Sequence, residues 1–283
     1  MASESPGAGG ADELLDRLGS LTAQARERAE LHRARVELAF ALQREMLPGP
    51  IPVVPGLRTA VRYAPAHHGL NVGGDWYDGF LLPDGSLGFT IGDVQGHNIE
   101  AAAFMGQVRI ALRALASVVT DPGELLSRAN ELLLSNRSEL FATCTFVRFD
   151  PHTWTVQAAR AGHVPMVQAT ADGRAVVVTD NGGPPLGIQA GMDYPVSAFG
   201  LDGPGALVLL TDGVVEGPSM TMDEGLEQVT RLAGLGSAVA LNAEPLATAV
   251  MKIAGSVGHE DDAAVLVVCH DAPPPARGAA ALR

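Results

Sequence analysis

Four aspartates stand where apolar runs stop or glycine turns begin, and they are spread over most of a chain of 283 residues. They occur in Val72-Gly73-Gly74-Asp75, Ile91-Gly92-Asp93, Leu209-Leu210-Thr211-Asp212-Gly213 and Glu260-Asp261-Asp262-Ala263. A carboxylate placed where a buried strand ends is held rigidly at the edge of the core with its charge facing out. A fold that uses all four in this way has to bring several strand ends to one point. Converging carboxylates raise one another's pKa unless cations neutralise them. Oxygen-only ligands favour hard divalent ions such as Mg²⁺ or Mn²⁺. The pattern predicts a metal-dependent hydrolase.

Charge narrows the partners. Lys+Arg 19 against Asp+Glu 32 gives a net charge of −13, which opposes binding to a phosphate backbone, so no nucleic acid is expected as a partner. Cys144 and Cys269 both lie in apolar runs and read as small buried hydrophobes of a reducing compartment, without the spacing of a zinc site. No apolar stretch is long enough to span a bilayer. The start, Met1-Ala2-Ser3-Glu4-Ser5-Pro6, lacks the basic and apolar regions of a signal peptide. A cytoplasmic protein with no membrane contact is expected.

Along the chain, residues 1–10 are Gly-rich and expected to be disordered. Residues 11–47 read as a helical regulatory segment. Leu14, Leu18, Leu21 and Ala25 mark one apolar stripe and Leu31, Ala34, Leu38, Ala41 and Leu42 another, with Arg26-Glu27-Arg28 between them. Two readings stay open: a helix packed on its own domain, or a short coiled coil meeting a partner or a second copy. Pro48, Pro50, Pro52 and Pro55 form a stiff break before a globular domain expected over 48–271.

Within that domain, strands are predicted at Thr59–Tyr63, Gly79–Leu82, Leu87–Asp93, Ala142–Asp150, Thr153–Ala159, Arg174–Thr179, Ala206–Thr211 and Ala263–His270. Turn signals at Pro83-Asp84-Gly85 and Asp150-Pro151-His152 point to antiparallel hairpins. One helix is predicted from Asn98 to about Val118, and a second after Asp121-Pro122, with Asp121 as cap and Pro122 in the first turn. Two more are predicted over Asp223–Leu232 and Glu244–Gly255. Blocks of strands with paired helices between them indicate an α+β layered sandwich. The tail over 272–283, with Pro273-Pro274-Pro275, reads as disordered.

Taken singly, each acid has a plain structural explanation. Asp93 in Ile91–Asn98 could cap a turn, and Asp212 fits a type I turn. Asp78 reads as a hydrogen-bonding residue. The pair Gly73-Gly74 costs backbone entropy and so must serve a tight turn or a close approach. His259-Glu260-Asp261-Asp262 places three adjacent acids before an apolar strand, where they repel without a counter-charge. The four sites are much more informative together than apart.

In order, Val72–Asp78 (VGGDWYD), Ile91–Asn98 (IGDVQGHN), Phe141–Thr143 (FAT), Ala161–Pro165 (AGHVP), Gly183–Gly187 (GPPLG), Leu210–Glu216 (LTDGVVE) and Asp261–Val268 (DDAAVLVV) resemble the motifs of SpoIIE/RsbU-like protein phosphatases. These are the bacterial branch of the metal-dependent, protein phosphatase 2C-type superfamily. The likeness covers roughly residues 35 to 270, including the lead-in Leu42–Pro48. It implies two antiparallel sheets packed as a sandwich, flanked by helix pairs, with an N-terminal helical extension. It also implies a two-ion Mn²⁺ or Mg²⁺ centre in which Asp93 bridges the ions, the Val94 carbonyl is a further ligand, and Asp212 and Asp261 bind one ion. Asp75 would sit at the centre, bound directly or through water, and Asp262 just outside it.

The activity so implied is hydrolysis of phosphoserine or phosphothreonine by metal-activated water, without a cysteine or serine nucleophile. The implied substrate is a phosphorylated STAS-domain protein, an antagonist of an anti-sigma factor. A homodimer or a regulatory partner is expected through the N-terminal helix. Gln95 and Asn98 replace the Ser and Gly usual in the second motif, and Ala263-Ala264 the usual Ile-Thr. These departures keep a binding-only phosphatase-like protein as an alternative, beside a phosphoesterase for nucleotides or other small molecules. His97 does not align without a gap on the catalytic histidine of the eukaryotic branch and is not assigned as a general acid. His163 reads as a structural histidine, and His67 and His68 as loop residues.

Overall fold

Runs of Val, Ile, Leu and Phe closed by Gly, Pro or Asp turns form the strands, because β-branched and aromatic side chains pack well on a pleated surface. The computed structural model describes residues 17–31, 33–34, 48–65, 73–96, 99–136, 138–239, 242–258 and 261–272. The first sheet holds β1 (Leu57–Ala64), β10 (Ala263–His270), β9 (Gly205–Leu210), β6 (Val167–Thr170) and β7 (Ala175–Val177), in that order. The second holds β2 (Trp76–Leu81), β3 (Leu87–Val94), β4 (Ala142–Asp150), β5 (Thr155–Ala161) and β8 (Val196–Gly200). Every strand pair is antiparallel.

Helix α1 covers residues 17–31 and is exposed throughout. Helices α2 (Ile99–Leu115) and α3 (Pro122–Ser135) cover the outer face of the second sheet; α4 (Met222–Val239) and α5 (Ala243–Val257) cover the first. The expected cap is present: Asp121 Oδ1 accepts the Glu124 amide at 2.8 Å, with Pro122 opening α3. Asn242 caps α5 through the Glu244 amide, and Gly258 closes that helix at φ 105°.

The layering is written into β10, whose eight residues are all buried. Ala264, Leu266 and Val268 meet Leu87, Phe89, Ile91 and Phe149 of the opposite sheet. Ala263, Val265, Val267 and Cys269 meet the helix side, with Val229 and Val250. Period two thus serves two cores at once. Each fully buried Leu, Val or Phe contributes about 1.5–3 kcal/mol, so these layers fix where the strands end.

The predicted α+β sandwich, with helices on both outer faces and a helix near the N-terminus, is therefore the fold. Differences lie at its margins. β6 and β8 were not expected, and the strand predicted over Arg174–Thr179 shrinks to β7. The strand predicted from Thr153 starts at Thr155, because Asp150 Oδ1 first closes a turn on the His152 amide at 2.8 Å and Trp154 takes φ 53°. Residues 1–10, Leu42–Leu47, His67, His68, His97, Asn98, His259, Glu260 and 273–283 lie outside the described residues.

Candidate metal centre

Three strand ends deliver carboxylates to one end of the sandwich. Asp75 immediately precedes β2, Asp93 is the penultimate residue of β3, and Asp212 opens a single 3-10 turn, Asp212–Val214, just after β9. Each offers a carboxylate oxygen, and these oxygens all lie within 4.8 Å of one another. Asp75 is 1% exposed; Asp93 and Asp212 are half-buried.

Glycines make the approach possible. A Cβ on Gly74 would stand 2.5 Å from the Val94 carbonyl oxygen and 2.9 Å from Asp93 Oδ1. On Gly92 it would meet the Trp76 ring at 2.2 Å, and on Gly213 the Asp262 carbonyl oxygen at 2.0 Å. The close approach expected of Gly73-Gly74 is thus seen at Gly74, whose carbonyl also accepts the Val94 amide at 3.2 Å.

The last acidic pair divides its work between its two members. Asp262 is buried, and its Oδ2 accepts the Gly74 amide at 3.0 Å, tying the start of β10 to the approach of β2. Asp261 is exposed and accepts the Asp262 amide at 2.8 Å. It lies outside the tight trio, yet its charge acts on both Asp93 and Asp212.

Sequence reasoning missed Thr211. Its buried hydroxyl donates to Asp75 Oδ2 at 2.7 Å and accepts the Ala264 amide at 2.8 Å, linking an acid of one sheet to β10 of the other. Its place directly before Asp212 was the available signal. Asp78, expected to be a hydrogen-bonding residue, is fully buried between Arg109 and Arg113 of α2, each at 3.1 Å, and accepts the Gly79 amide at 2.8 Å. His163 is buried and paired with Thr143.

Crowding has an electrostatic consequence. Burial, then the charges of Asp93, Asp262 and Asp212, hold the Asp75 carboxyl well above the usual range, with the Thr211 hydroxyl opposing. Asp93 is pushed up to about 8 by burial and by Asp212, Asp261 and Asp262, against a hydrogen bond from Asp75. Asp212 is raised by burial and by Asp261. Such a group cannot be fully ionised near neutral pH without added positive charge. An all-carboxylate, oxygen-only donor set fits hard divalent ions of the Mg²⁺ or Mn²⁺ kind. Asp75, Asp93 and Asp212 could bind directly, with Asp261 and the Val94 carbonyl at the margin. Among the described residues, no helix is long and apolar enough to cross a membrane.

Comparison with known proteins agrees with this geometry. A family model for Stage II sporulation protein E (SpoIIE) matches residues 83–271. Phosphoserine phosphatase RsbU of Bacillus subtilis is 27% identical over 187 residues, which cover 65% of this chain and 54% of that protein. The crystal structure of the RsbU and RsbW domains of Rv1364c from Mycobacterium tuberculosis superposes with a TM-score of 0.72 at 31% identity, covering 82% of this chain and 64% of that one. The PP2C phosphatase domain of SpoIIE from Bacillus subtilis, solved with a fragment of its regulatory domain, shares the fold. Its TM-score is 0.64 at 21% identity, over 76% of this chain and 64% of that one. The chain therefore spans between half and two thirds of these relatives. With a match over most of its length and a PP2C-type sandwich bearing clustered carboxylates, the chain belongs to the SpoIIE family.

Proposed function

We propose that the chain is a metal-dependent protein-serine/threonine phosphatase whose catalytic domain spans residues 48–271. The observation that carries this reading is the trio Asp75, Asp93 and Asp212, whose oxygens converge within 4.8 Å. These three, with Asp261 and the Val94 carbonyl, would hold a pair of Mn²⁺ or Mg²⁺ ions, which would supply charge neutralisation for a phosphate and acidify a water molecule.

The chain's own residues do the rest. The Thr211 hydroxyl holds Asp75 Oδ2 in place. The Gly213 amide steadies Asp212 Oδ1 at 2.9 Å. Asp262 fixes the Gly74 backbone on which the first acid hangs. Both cysteines are buried with their thiols pushed up, as groups with no nucleophilic task would be.

The substrate we assign is a serine-phosphorylated STAS-type antagonist of an anti-sigma factor. Support comes from the family and from the pairing of RsbU and RsbW domains in the similar Mycobacterium tuberculosis protein. Exposed Leu18, Leu21 and Leu31 on α1 suit contact with a second copy or a regulator. Removing residues 1–47 should then change oligomeric state or turnover, and a truncated protein unchanged in both would refute that role.

The substrate class is tested by comparing Mn²⁺-supported phosphate release from a phosphoserine STAS protein with release from nucleotides and p-nitrophenyl phosphate. Preference for the phosphoprotein by at least about tenfold in kcat/KM, or about 1.4 kcal/mol of transition-state binding, is expected. Preference for a nucleotide would overturn it.

A further inference from the structure

Behind the carboxylates, a histidine stands between the two sheets. His163 is 3% exposed, and its Nδ1 lies 2.8 Å from the Thr143 hydroxyl oxygen. Thr143 is the residue directly opposite Asp93 in the β3–β4 ladder. Opposed residues of an antiparallel pair project from the same face with Cβ atoms about 4.5–5.5 Å apart. A hydroxyl at 143 can therefore reach the Asp93 carboxylate by rotating about χ1. The Leu210 carbonyl, at the end of β9 and one residue before Thr211, also acts on the imidazole. Nε2 is buried and makes no hydrogen bond of normal geometry.

The ring is held in place by its surroundings. Gly162 takes φ +64° against Pro185, where a Cβ would stand 2.6 Å from the proline ring. Arg160, anchored on Asp180, donates to the His163 carbonyl at 2.8 Å. Burial, reinforced by the Arg160 charge, lowers the histidine to about 3, so the imidazole is neutral. A neutral imidazole has one donor and one acceptor nitrogen. With the proton on Nε2, Nδ1 presents a bare lone pair to Thr143. In that tautomer Thr143 is the donor in the 2.8 Å contact.

We infer that His163 carries its proton on Nε2 and is a positioning residue: it draws the Thr143 hydroxyl proton away from Asp93, so that the Asp93 carboxylate keeps its lone pairs for a cation. The inference rests on the reading of Asp93 as a metal ligand. Without the histidine, the hydroxyl turns to the strongest acceptor within reach, an ionised carboxylate, and competes with the ion. Removing the hydroxyl removes the competitor. A histidine that served packing alone would show no such rescue.

The test is Mn²⁺ titration calorimetry on the full chain, with thermal melting of each variant as the check on folding. His163→Leu should weaken Mn²⁺ binding about tenfold, the lower end of the effect of outer ligand-orienting groups. Thr143→Val should bind within about threefold of wild type, and His163→Leu/Thr143→Val should return to that range, well inside the ~10-fold loss. His163→Asn, whose side-chain oxygen can accept in place of Nδ1, should also bind like wild type.

Wild-type affinity in a folded His163→Leu protein would overturn the inference, as would a deficit that persists in the double variant. Should His163→Leu not fold, a tenfold loss in Thr143→Val or His163→Asn would do the same. A wild type that binds no Mn²⁺ and is unmoved by Asp93→Asn would instead refute the metal reading itself, and the inference with it.

Discussion

Gly74 does as much for the site as the acids, because its missing side chain is what lets the backbone before Asp75 lie against the Val94 carbonyl and Asp93 Oδ1. Flexible neighbours could yield to an added methyl, but a backbone carbonyl cannot. Gly74→Ala is therefore expected to separate the two acids: Mn²⁺ affinity should fall at least about tenfold and stability by about 1–3 kcal/mol. Calorimetry and urea denaturation on the same preparation check this, and unchanged metal affinity would remove Gly74 from the site. At this scale the sequence was informative where chemistry is local. A double glycine before an acid announces a close approach, and an acid at a strand end announces an edge. Thr211 and the His163–Thr143 pair were not readable as partners, since their contacts join residues 136 and 20 positions apart.

At the scale of elements, helix α2 is pinned to β2, the strand that follows Asp75. Asp78 takes both Arg109 and Arg113, and Arg113 also stacks over Phe80, 5.1 Å from its ring centre. Arg109 is almost wholly buried and Arg113 about half exposed. Breaking a buried pair strands its partner's charge and costs about 3–5 kcal/mol, whereas a solvated partner is worth about 1 kcal/mol or less. Arg109→Met should accordingly lower the free energy of unfolding by several times as much as Arg113→Ala in urea titrations. Equal losses would show that the helix is held by packing alone. The strongly patterned elements, α3 and β10, were legible because cap, period and turn residues agree. β6 and β8 were not: Val167–Thr170 offers four residues with Gln168 and Thr170 half-buried, and Val196–Gly200 is an edge strand with three exposed positions. Their pairing supplies what their own sequence does not.

For the whole molecule, the cost of gathering the acids is borne by the fold. Asp93 has a folded pKa of about 8 against an ordinary value of 3.8, and Asp75 is raised as well. The folded state thus binds a proton that the unfolded chain has already released. Stability must fall as pH rises through this window, by about 1.4 kcal/mol per pH unit for each proton so held. His163, depressed to about 3, and His270, depressed in the same direction, oppose this only below their ordinary 6.5. In chelator, the melting temperature should drop from pH 6.5 to 8, and saturating Mn²⁺ should abolish the drop by neutralising the cluster. A metal-free melting temperature that rises over that interval would contradict the sign.

The most direct measurement is phosphate release from a serine-phosphorylated STAS-domain protein with Mn²⁺, in wild type and Asp93→Asn, each with and without chelator. The account predicts turnover in wild type that chelator abolishes and Mn²⁺ restores, and a loss of at least about 100-fold, or roughly 2.7 kcal/mol, in the variant. Turnover that survives both chelation and the loss of the Asp93 charge would contradict it.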